Sequence, residues 1–199
     1  MRIVRLTNAS DLRPLFEFRH NVYVDELGWL GDAGGLLVDD FDGCADNYAA
    51  FDDGGRIIGS VRVVPDTPLG LPLEHCLPLN GFRDGKRLAE ISRLAVDSDH
   101  RGSKLGALLM KAGYQRCLTL GVTHIALDCY IGHDNAEALY DRMGFVHLAE
   151  PYADPSYRCE LPVLSLALDV ARAHEELPSH HPGLFRFFTT ADPLIDHGP

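Results

Sequence analysis

Hydrophobic and polar positions alternate along the first third of the chain in segments that predict ordinary strands and helices. Residues 2–6 alternate polar and apolar side chains, which predicts a strand. Apolar positions then recur at helical spacing over about residues 10–26, and Gly28 ends the predicted helix. Residues 47–51 and 56–64 flank an Asp-Asp-Gly-Gly turn, which is typical of a β-hairpin. The predicted order is therefore strand, helix and hairpin.

The second half of the chain alternates strand and helix patterns with short connections. A proline-rich stretch at 65–85 precedes it and is predicted to be irregular. The mostly apolar segment 157–168 is predicted to be a strand that passes into a helix near 166–176. The elements between them are predicted as strand 87–97, helix 101–120, strand 122–130, helix 134–143 and strand 145–148. This order predicts an α/β fold, with a mixed sheet covered by helices on both faces.

The length of the chain bounds its domain organisation, because 199 residues fit one domain. We assign residues 1–168 to a single domain and residues 169–199 to a C-terminal extension. The extension is polar and rich in histidine, but Phe185, Phe187 and Phe188 favour its burial against another surface. Three roles stay open for it: it covers a substrate tunnel, it closes a homodimer, or it does neither.

Composition and charge exclude several classes of protein. Hydrophobic residues make up 46% and charged residues 24% of the chain, as in folded globular proteins. The net charge of -11 argues against binding to a nucleic-acid backbone, which needs a basic surface. No stretch approaches the ~18 apolar residues of a membrane helix, and no signal sequence is visible. We therefore expect a cytoplasmic protein without a membrane or nucleic-acid partner.

Cysteines and histidines provide no metal or redox motif. The five cysteines are widely spaced and include no Cys-x-x-Cys pair, so reduced thiols are expected. The best candidates for metal ligands are the C-terminal histidines, yet only two are adjacent and no third ligand is suitably spaced. We predict that the chain holds no metal and that a solvated tail carries His174, His180, His181 and His197.

A glycine-rich segment follows the strand predicted at 87–97 and opens the next helix. Unpaired backbone N–H groups and the helix dipole favour a bound anion at such a position. Gly102 and Gly106 let the backbone approach a ligand closely, while Arg101 and Lys104 add positive charge. Two interpretations are open: a pyrophosphate site, or a simple turn with solvated basic side chains.

This segment belongs to a longer pattern: Arg101-Gly102-x-x-x-Gly106 after Leu94-Ala95-Val96, with Asn135-x-x-Ala138-x-Tyr140-x-x-x-Gly144-Phe145 downstream. Over about residues 86–150 it resembles the GNAT acyltransferases. The resemblance implies the GNAT fold, whose sheet is mostly antiparallel, a pantetheine thioester as donor, and Tyr140 as the acid that protonates the departing thiolate. It implies that the donor is bound by Leu94, Ala95, Val96, Arg101, Gly102, Ser103, Lys104, Leu105, Gly106, Ala107 and Asn135. Lys104 stands where the family pattern has glycine, so acyl-CoA and an acyl carrier protein both stay open as donors.

The N-terminal half carries a second pattern: Arg19-x-x-x-Tyr23, Trp29, Asp39-x-x-Asp42, Gly59-x-x-Arg62 and Glu90-Ile91-Ser92-Arg93. It resembles the acyl-homoserine-lactone synthases and the related N-acyl amino acid synthases, which are also GNAT-fold enzymes. The resemblance implies an acceptor site with a charged cluster and aromatic walls, formed by Arg19, Tyr23, Trp29, Asp39, Asp42, Arg62, Ser92 and Arg93. Arginines suit bidentate recognition of a carboxylate, and pairing with the two aspartates is the alternative.

Attack of an amine on a thioester requires a base, because an ammonium must first lose a proton. Glu90 lies on a mostly apolar strand, where desolvation raises a carboxyl pKa toward neutral pH. The alternatives are that Glu90 pairs with Arg93 or Arg62, and that Tyr140 only packs its ring in the core. No serine has a nucleophile motif, so direct transfer is expected.

Together these patterns predict an N-acyltransferase that moves an acyl group from acyl-CoA or an acyl carrier protein to a small amino-acid-like amine. Two alternatives remain. One is a non-catalytic module of the same fold that binds or senses a ligand. The other is a simple N-acetyltransferase that uses acetyl-CoA.

Overall fold

A computed structural model describes residues 1–32, 34–131, 134–158 and 161–198, with only the backbone of Asp134 and Asn135. The strands are β1 (Arg2–Leu6), β2 (Asp46–Phe51), β3 (Ile57–Pro65), β4 (Leu88–Val96), β5 (His124–Tyr130), β6 (Val146–His147), β7 (Val163–Asp169) and β8 (Ile195–Asp196). The α-helices are α1 (Ala9–His20), α2 (Leu105–Thr119), α3 (Asp134–Met143), α4 (Val170–His180) and α5 (Pro182–Thr189). A π-helical turn, Asn21–Glu26, extends α1, and 3-10 turns lie at Asp40–Gly43, Pro72–His75 and Ser98–His100.

The strands form one sheet in the order β6-β7-β5-β4-β3-β2-β1-β8. Neighbouring strands are antiparallel except for the β4–β5 and β1–β8 pairs, which are parallel. The predicted fold class is confirmed, because the sheet is mixed, mostly antiparallel and packed with helices. The predicted hairpin is β2–β3, and α1 with its π-helical turn matches the helix predicted at 10–26.

The central strand β4 is buried from Leu88 to Ile91, as expected for a strand that is covered on both faces. Ala89 and Ile91 pack into the main core with α2, whereas Leu88 packs with Leu71 and Leu73 of the irregular 65–85 segment. Side chains of successive strand residues point to opposite faces. Glu90 therefore shares the face of Leu88 and lies under the irregular segment.

The C-terminal segment differs from its prediction in two respects. The helix predicted near 166–176 starts later, at Val170, because β7 continues through Asp169, whose side chain then caps α4. The prediction of a solvated histidine tail is wrong for His197, whose ring contacts the hydroxyl of Tyr48 at 2.8 Å. β8 explains this contact, since it pairs with β1 and brings the end of the chain onto the sheet. No helix among the described residues has the length and apolarity needed to cross a bilayer.

Candidate active site

The strands β4 and β5 separate partway along their length. They pair only from Leu88 to Glu90 and from His124 to Ala126, although β4 continues to Val96 and β5 to Tyr130. A cavity of about 1100 Å³ occupies the gap between them. Backbone polar groups on the separated edges are left without a neighbouring strand, so they can bind an extended ligand.

A β-bulge on β4 adjoins this gap. Ser92 pairs with Arg62 and Ala95 with Ser60, so Arg93 and Leu94 together lie opposite one residue of β3. Arg93 has a φ of 52°, the one positive value outside glycine in the described part of the chain. Its carbonyl accepts the Ser60 hydroxyl at 2.7 Å, which fixes the bulge. A residue held in this strained region next to a cavity is typical of a functional site.

Glu90 lies at the point where the two strands separate, and it is buried. Its Oε2 accepts the backbone N–H of Leu73 at 2.8 Å. Burial raises the pKa of Glu90 to about 8, with a further contribution from Asp128, although the Leu73 N–H opposes the shift. Among the described residues, Arg62 and Arg93 pair with Asp39 rather than with Glu90. With a pKa of about 8 the carboxyl group loses its proton at mildly alkaline pH, and its ionised form can then act as a base.

Tyr140 on α3 also lines the cavity. Its ring is buried and packs against Phe145, with the ring centroids 5.5 Å apart. Burial raises the pKa of Tyr140 above its usual range, so the phenol remains protonated at neutral pH. A protonated hydroxyl can donate to a departing thiolate, as the sequence pattern implies.

The arginines beside the cavity form two layers. Arg19 is fully buried behind the wall, where it donates to Asp42 at 2.8 Å and to Asn47 at 2.6 Å. Arg62 lines the cavity and donates to Asp39 at 2.6 Å, while its Nη1 lies 3.2 Å from Asp42. The structure thus brings the predicted charged cluster together, with Arg19 and Asp42 beneath the residues that face the cavity.

Arg93 completes this cluster from the bulge. It donates to Asp39 at 2.9 Å and to the hydroxyl of Tyr157 at 3.2 Å. Burial opposes ionisation of Asp39, but Arg62 and Arg93 hold its pKa at about 2. Three guanidinium groups, including that of Arg19, therefore share two carboxylates. One positive charge in the cluster is left in excess, and it favours an anionic group in the cavity.

Aromatic rings form the wall next to Arg93. Trp29 packs against Tyr130 with centroids 4.9 Å apart, and Tyr130 packs against Tyr157 at 4.8 Å. Tyr23 lies 6.3 Å from Trp29 and donates its hydroxyl to the Leu94 carbonyl. The wall thus includes the predicted Tyr23 and Trp29.

Sequence reasoning missed several residues that line the cavity. Asp128 and Tyr130 lie on β5, and Tyr157 lies in the loop before β7. Asp128 had a visible signal, because it interrupts the apolar run of β5. Its side chain accepts the hydroxyls of Tyr152 and Ser165, and burial raises its pKa. Nothing in the pattern pointed to the loop tyrosine.

The predicted donor residues divide into two groups. Leu94, Ala95, Val96 and Arg101 line the cavity, and so do Ser92 and Ile91. The remaining donor residues lie beyond its lining, in the turn before α2 and in its first residues: Gly102, Ser103, Lys104, Leu105, Gly106 and Ala107. A Cβ built on Gly102 or Gly106 meets no atom within 4 Å, so the space over this backbone is open. The predicted role of Asn135 lies outside the described residues, because its side chain is not described.

Glu90 and Tyr140 line one cavity in the gap between the separated strands, next to the bulge. This arrangement agrees with the GNAT N-acyltransferase class that the sequence patterns predict. The family model for "N-acyl amino acid synthase FeeM" matches residues 14–169. The chain belongs to this family.

Solved structures agree with this assignment at the level of the fold. FeeM, an N-acyl amino acid synthase from uncultured soil microbes, is 19% identical with a TM-score of 0.73, over 87% of this chain and 92% of that chain. BjaI, a CoA-dependent acyl-homoserine lactone synthase solved with SAM and isopentyl-CoA, is 22% identical with a TM-score of 0.73, over 100% of this chain and 94% of that chain.

Sequence similarity extends to acetyltransferases. N-acetyltransferase 8 of Rattus norvegicus is 26% identical over 123 residues, which are 62% of this chain and 46% of that protein. The chain spans less than half the length of the curated relatives it matches. Family membership and these similarities together support N-acyltransferase activity.

Proposed function

We propose that this protein transfers an acyl group from an acyl-CoA thioester to the amino group of a small acceptor that carries a carboxylate. Glu90 is the general base and Tyr140 the general acid. The observation that carries the proposal is the position of Glu90: a buried carboxyl with a pKa of about 8, in the gap between β4 and β5. A base with a pKa near the working pH is effective in removing a proton from an ammonium.

The excess positive charge of the arginine cluster supports an acceptor with a carboxylate. Arg93 contributes this charge at the cavity surface, next to the aromatic wall. Glu90 lines the same cavity and belongs to the same strand, three residues earlier. An α-amino acid carries both an amine and a carboxylate, and we assign the amine to Glu90 and the carboxylate to Arg93. The aromatic wall then contacts its side chain.

The open backbone at the start of α2 supports acyl-CoA as the donor. Gly102 and Gly106 leave room for phosphate oxygens to approach N–H groups at the helix N-terminus. Val96 and Arg101 connect this turn to the cavity. The pantetheine arm would lie along the free edge of β4. An acyl carrier protein is the alternative donor.

The reaction follows as a direct transfer. Glu90 takes a proton from the acceptor ammonium, and the free amine attacks the thioester carbonyl carbon. The C–N bond forms, the C–S bond breaks, and Tyr140 donates its proton to the thiolate. The products are an amide and free coenzyme A. The amine nitrogen loses its second proton as the amide forms, and this proton restores the Tyr140 phenol, while Glu90 releases its proton to solvent.

The test is release of free thiol from acyl-CoA donors of increasing chain length, with amino acids and the matching amino acid amides as acceptors. We expect turnover with amino acids and a higher KM with the amides, which lack the carboxylate. Equal activity with amino acids and their amides would show that the arginine cluster does not bind the acceptor. Turnover with acetyl-CoA alone would indicate a simple acetyltransferase.

A thermal-shift titration with coenzyme A separates the remaining alternatives, because a ligand that binds the folded state raises the melting temperature. We expect stabilisation by coenzyme A together with turnover. Stabilisation without turnover for any amine would indicate a sensory module. If coenzyme A gives no stabilisation and an acyl carrier protein supports turnover, the donor is the acyl carrier protein rather than acyl-CoA.

A further inference from the structure

Three residues with metal-binding side chains converge at one end of the cavity. His75 and Cys76 lie at the end of the 3-10 turn Pro72–His75, and Asp154 lies in the loop after β6. One ligand atom from each residue lies within 4.8 Å of the others. His75 and Asp154 also line the cavity. This cluster is separate from the C-terminal histidines that the sequence suggested as ligands.

The ring of His75 is oriented as a metal ligand. Its Nδ1 lies 2.6 Å from the carbonyl oxygen of Pro72, which can only accept, so Nδ1 carries a hydrogen. The opposite nitrogen, Nε2, points to Asp154 Oδ1 at 3.1 Å. Metal-ligating histidines characteristically donate their second N–H to a backbone carbonyl or carboxylate, which fixes the ring. The contact with Pro72 provides this support.

The charge around the cluster also favours a cation. The Asp154 side chain is 4% exposed, and the half-buried Asp128 lines the same cavity. In the part of the chain that the structure describes, His75 is the only basic residue within ion-pair distance of either carboxylate. Asp128 contacts the hydroxyls of Tyr152 and Ser165 instead. Asp154 Oδ1 also accepts the N–H and the hydroxyl of Ser156, at 2.8 Å and 2.6 Å. Two carboxylates beside one basic residue leave negative charge in excess, which a bound cation would balance.

We infer that His75, Cys76 and Asp154 form a binding site for a divalent metal ion of the Zn²⁺ class. Imidazole nitrogen, thiolate and carboxylate oxygen are together the ligand types that Zn²⁺ accepts. Three protein ligands leave a fourth, tetrahedral position, and the placement of His75 and Asp154 directs it to the cavity. An anionic group of a bound ligand can occupy this position. The inference does not depend on acyl transfer.

The test uses Co²⁺ as a spectroscopic substitute for Zn²⁺. The full chain, without a polyhistidine tag and with its thiols reduced, is stripped with a chelator and titrated with Co²⁺. We expect one equivalent to bind, with visible bands of tetrahedral Co²⁺ and a near-ultraviolet charge-transfer band from the thiolate. Zn²⁺ should displace it. Cys76→Ser should abolish the charge-transfer band and weaken binding by at least about tenfold.

Matched controls exclude other ligands. Cys44→Ser removes a second partly exposed thiol, which contacts the carbonyl of Phe41. The double variant His180→Asn/His181→Asn removes the adjacent tail histidines. Both should keep the full spectrum, whereas Asp154→Asn should weaken binding. Circular dichroism confirms that each variant is folded.

Two results would overturn the site. One is the absence of tetrahedral bands, which would leave a simple ion pair between His75 and Asp154. The other is a spectrum that survives in Cys76→Ser or that disappears in a control variant.

Discussion

The Glu90 carboxylate accepts the backbone N–H of Leu73 at 2.8 Å, and this contact joins the central strand to the irregular segment that covers it. One hydrogen bond stabilises the ionised form only partly. Burial has the larger effect and raises the pKa to about 8. The carboxyl is therefore mostly protonated at neutral pH and becomes a base as the pH rises.

The first prediction concerns the pH dependence of catalysis. kcat/KM should rise with pH and level off above about 8, where Glu90 is ionised. Glu90→Gln should lower turnover by about 10²–10⁴-fold, which is the usual contribution of a general base. Thiol release measured across neutral and alkaline pH checks both. The exposed Glu175→Gln should keep the wild-type profile, and a Glu90→Gln variant of wild-type activity would exclude this base.

The second prediction concerns stability. The pKa of Glu90 is about 8 in the folded chain and about 4.3 when unfolded. Between these values the folded chain retains a proton that the unfolded chain has lost. The free energy of unfolding should therefore decrease as pH rises through this window, and Glu90→Gln should reduce that decrease.

Urea unfolding at about pH 5 and about pH 9 measures this dependence. Glu175→Gln is again the control, and its free energy of unfolding should depend on pH as in the wild type. If Glu90→Gln leaves this pH dependence unchanged, the pKa of Glu90 is not raised in the folded chain.

The order of elements could be predicted from the sequence because each is a local pattern. The β2–β3 hairpin follows from its turn residues, and α2 follows from its apolar periodicity and Gly121. The separation of β4 from β5 could not be predicted in this way. It depends on which edge atoms pair between strands that are distant in sequence, and apolar residues continue in both strands beyond the last paired residues.

Only those site residues that belong to a sequence motif could be predicted. Glu90, Tyr140 and Arg62 were found by resemblance, and they line one cavity. No glycine indicates the bulge at Arg93 in the sequence, because the bulge depends on the Ser60 contact across the sheet. Tyr157 reaches the cavity from a loop, and its position depends on tertiary packing rather than on local periodicity.

The third prediction concerns the buried layer of the arginine cluster. Asp42 is buried and contacts Arg19 and Arg62, whose side chains are 0% and 1% exposed. Asp42→Asn would leave the buried Arg19 guanidinium without a carboxylate partner, so the free energy of unfolding should fall by about 3–5 kcal/mol. Glu176→Gln breaks the exposed Arg172 pair and should cost at most about 1 kcal/mol. Equal losses in urea unfolding would argue against the buried network.

The last prediction uses two matched glycines to locate the donor. Gly106 and Gly183 are each the second residue of a helix, and a Cβ at either meets no atom within 4 Å. Alanine at either should keep or raise stability, by up to about 1 kcal/mol. If phosphates lie against the α2 backbone, the Gly106→Ala methyl group costs about 1–3 kcal/mol of donor binding.

The KM for acyl-CoA should then rise by at least about fivefold in Gly106→Ala, whereas the KM for the acceptor stays unchanged. Gly183→Ala should leave both values at the wild-type level, because α5 contacts α2 at Lys111, Tyr114 and Gln115 rather than at its first turn. Steady-state kinetics with each substrate varied in turn measures the difference. An unchanged donor KM in Gly106→Ala would mean that the donor does not approach this turn, and the backbone N–H groups at the start of α2 would then have no part in binding it.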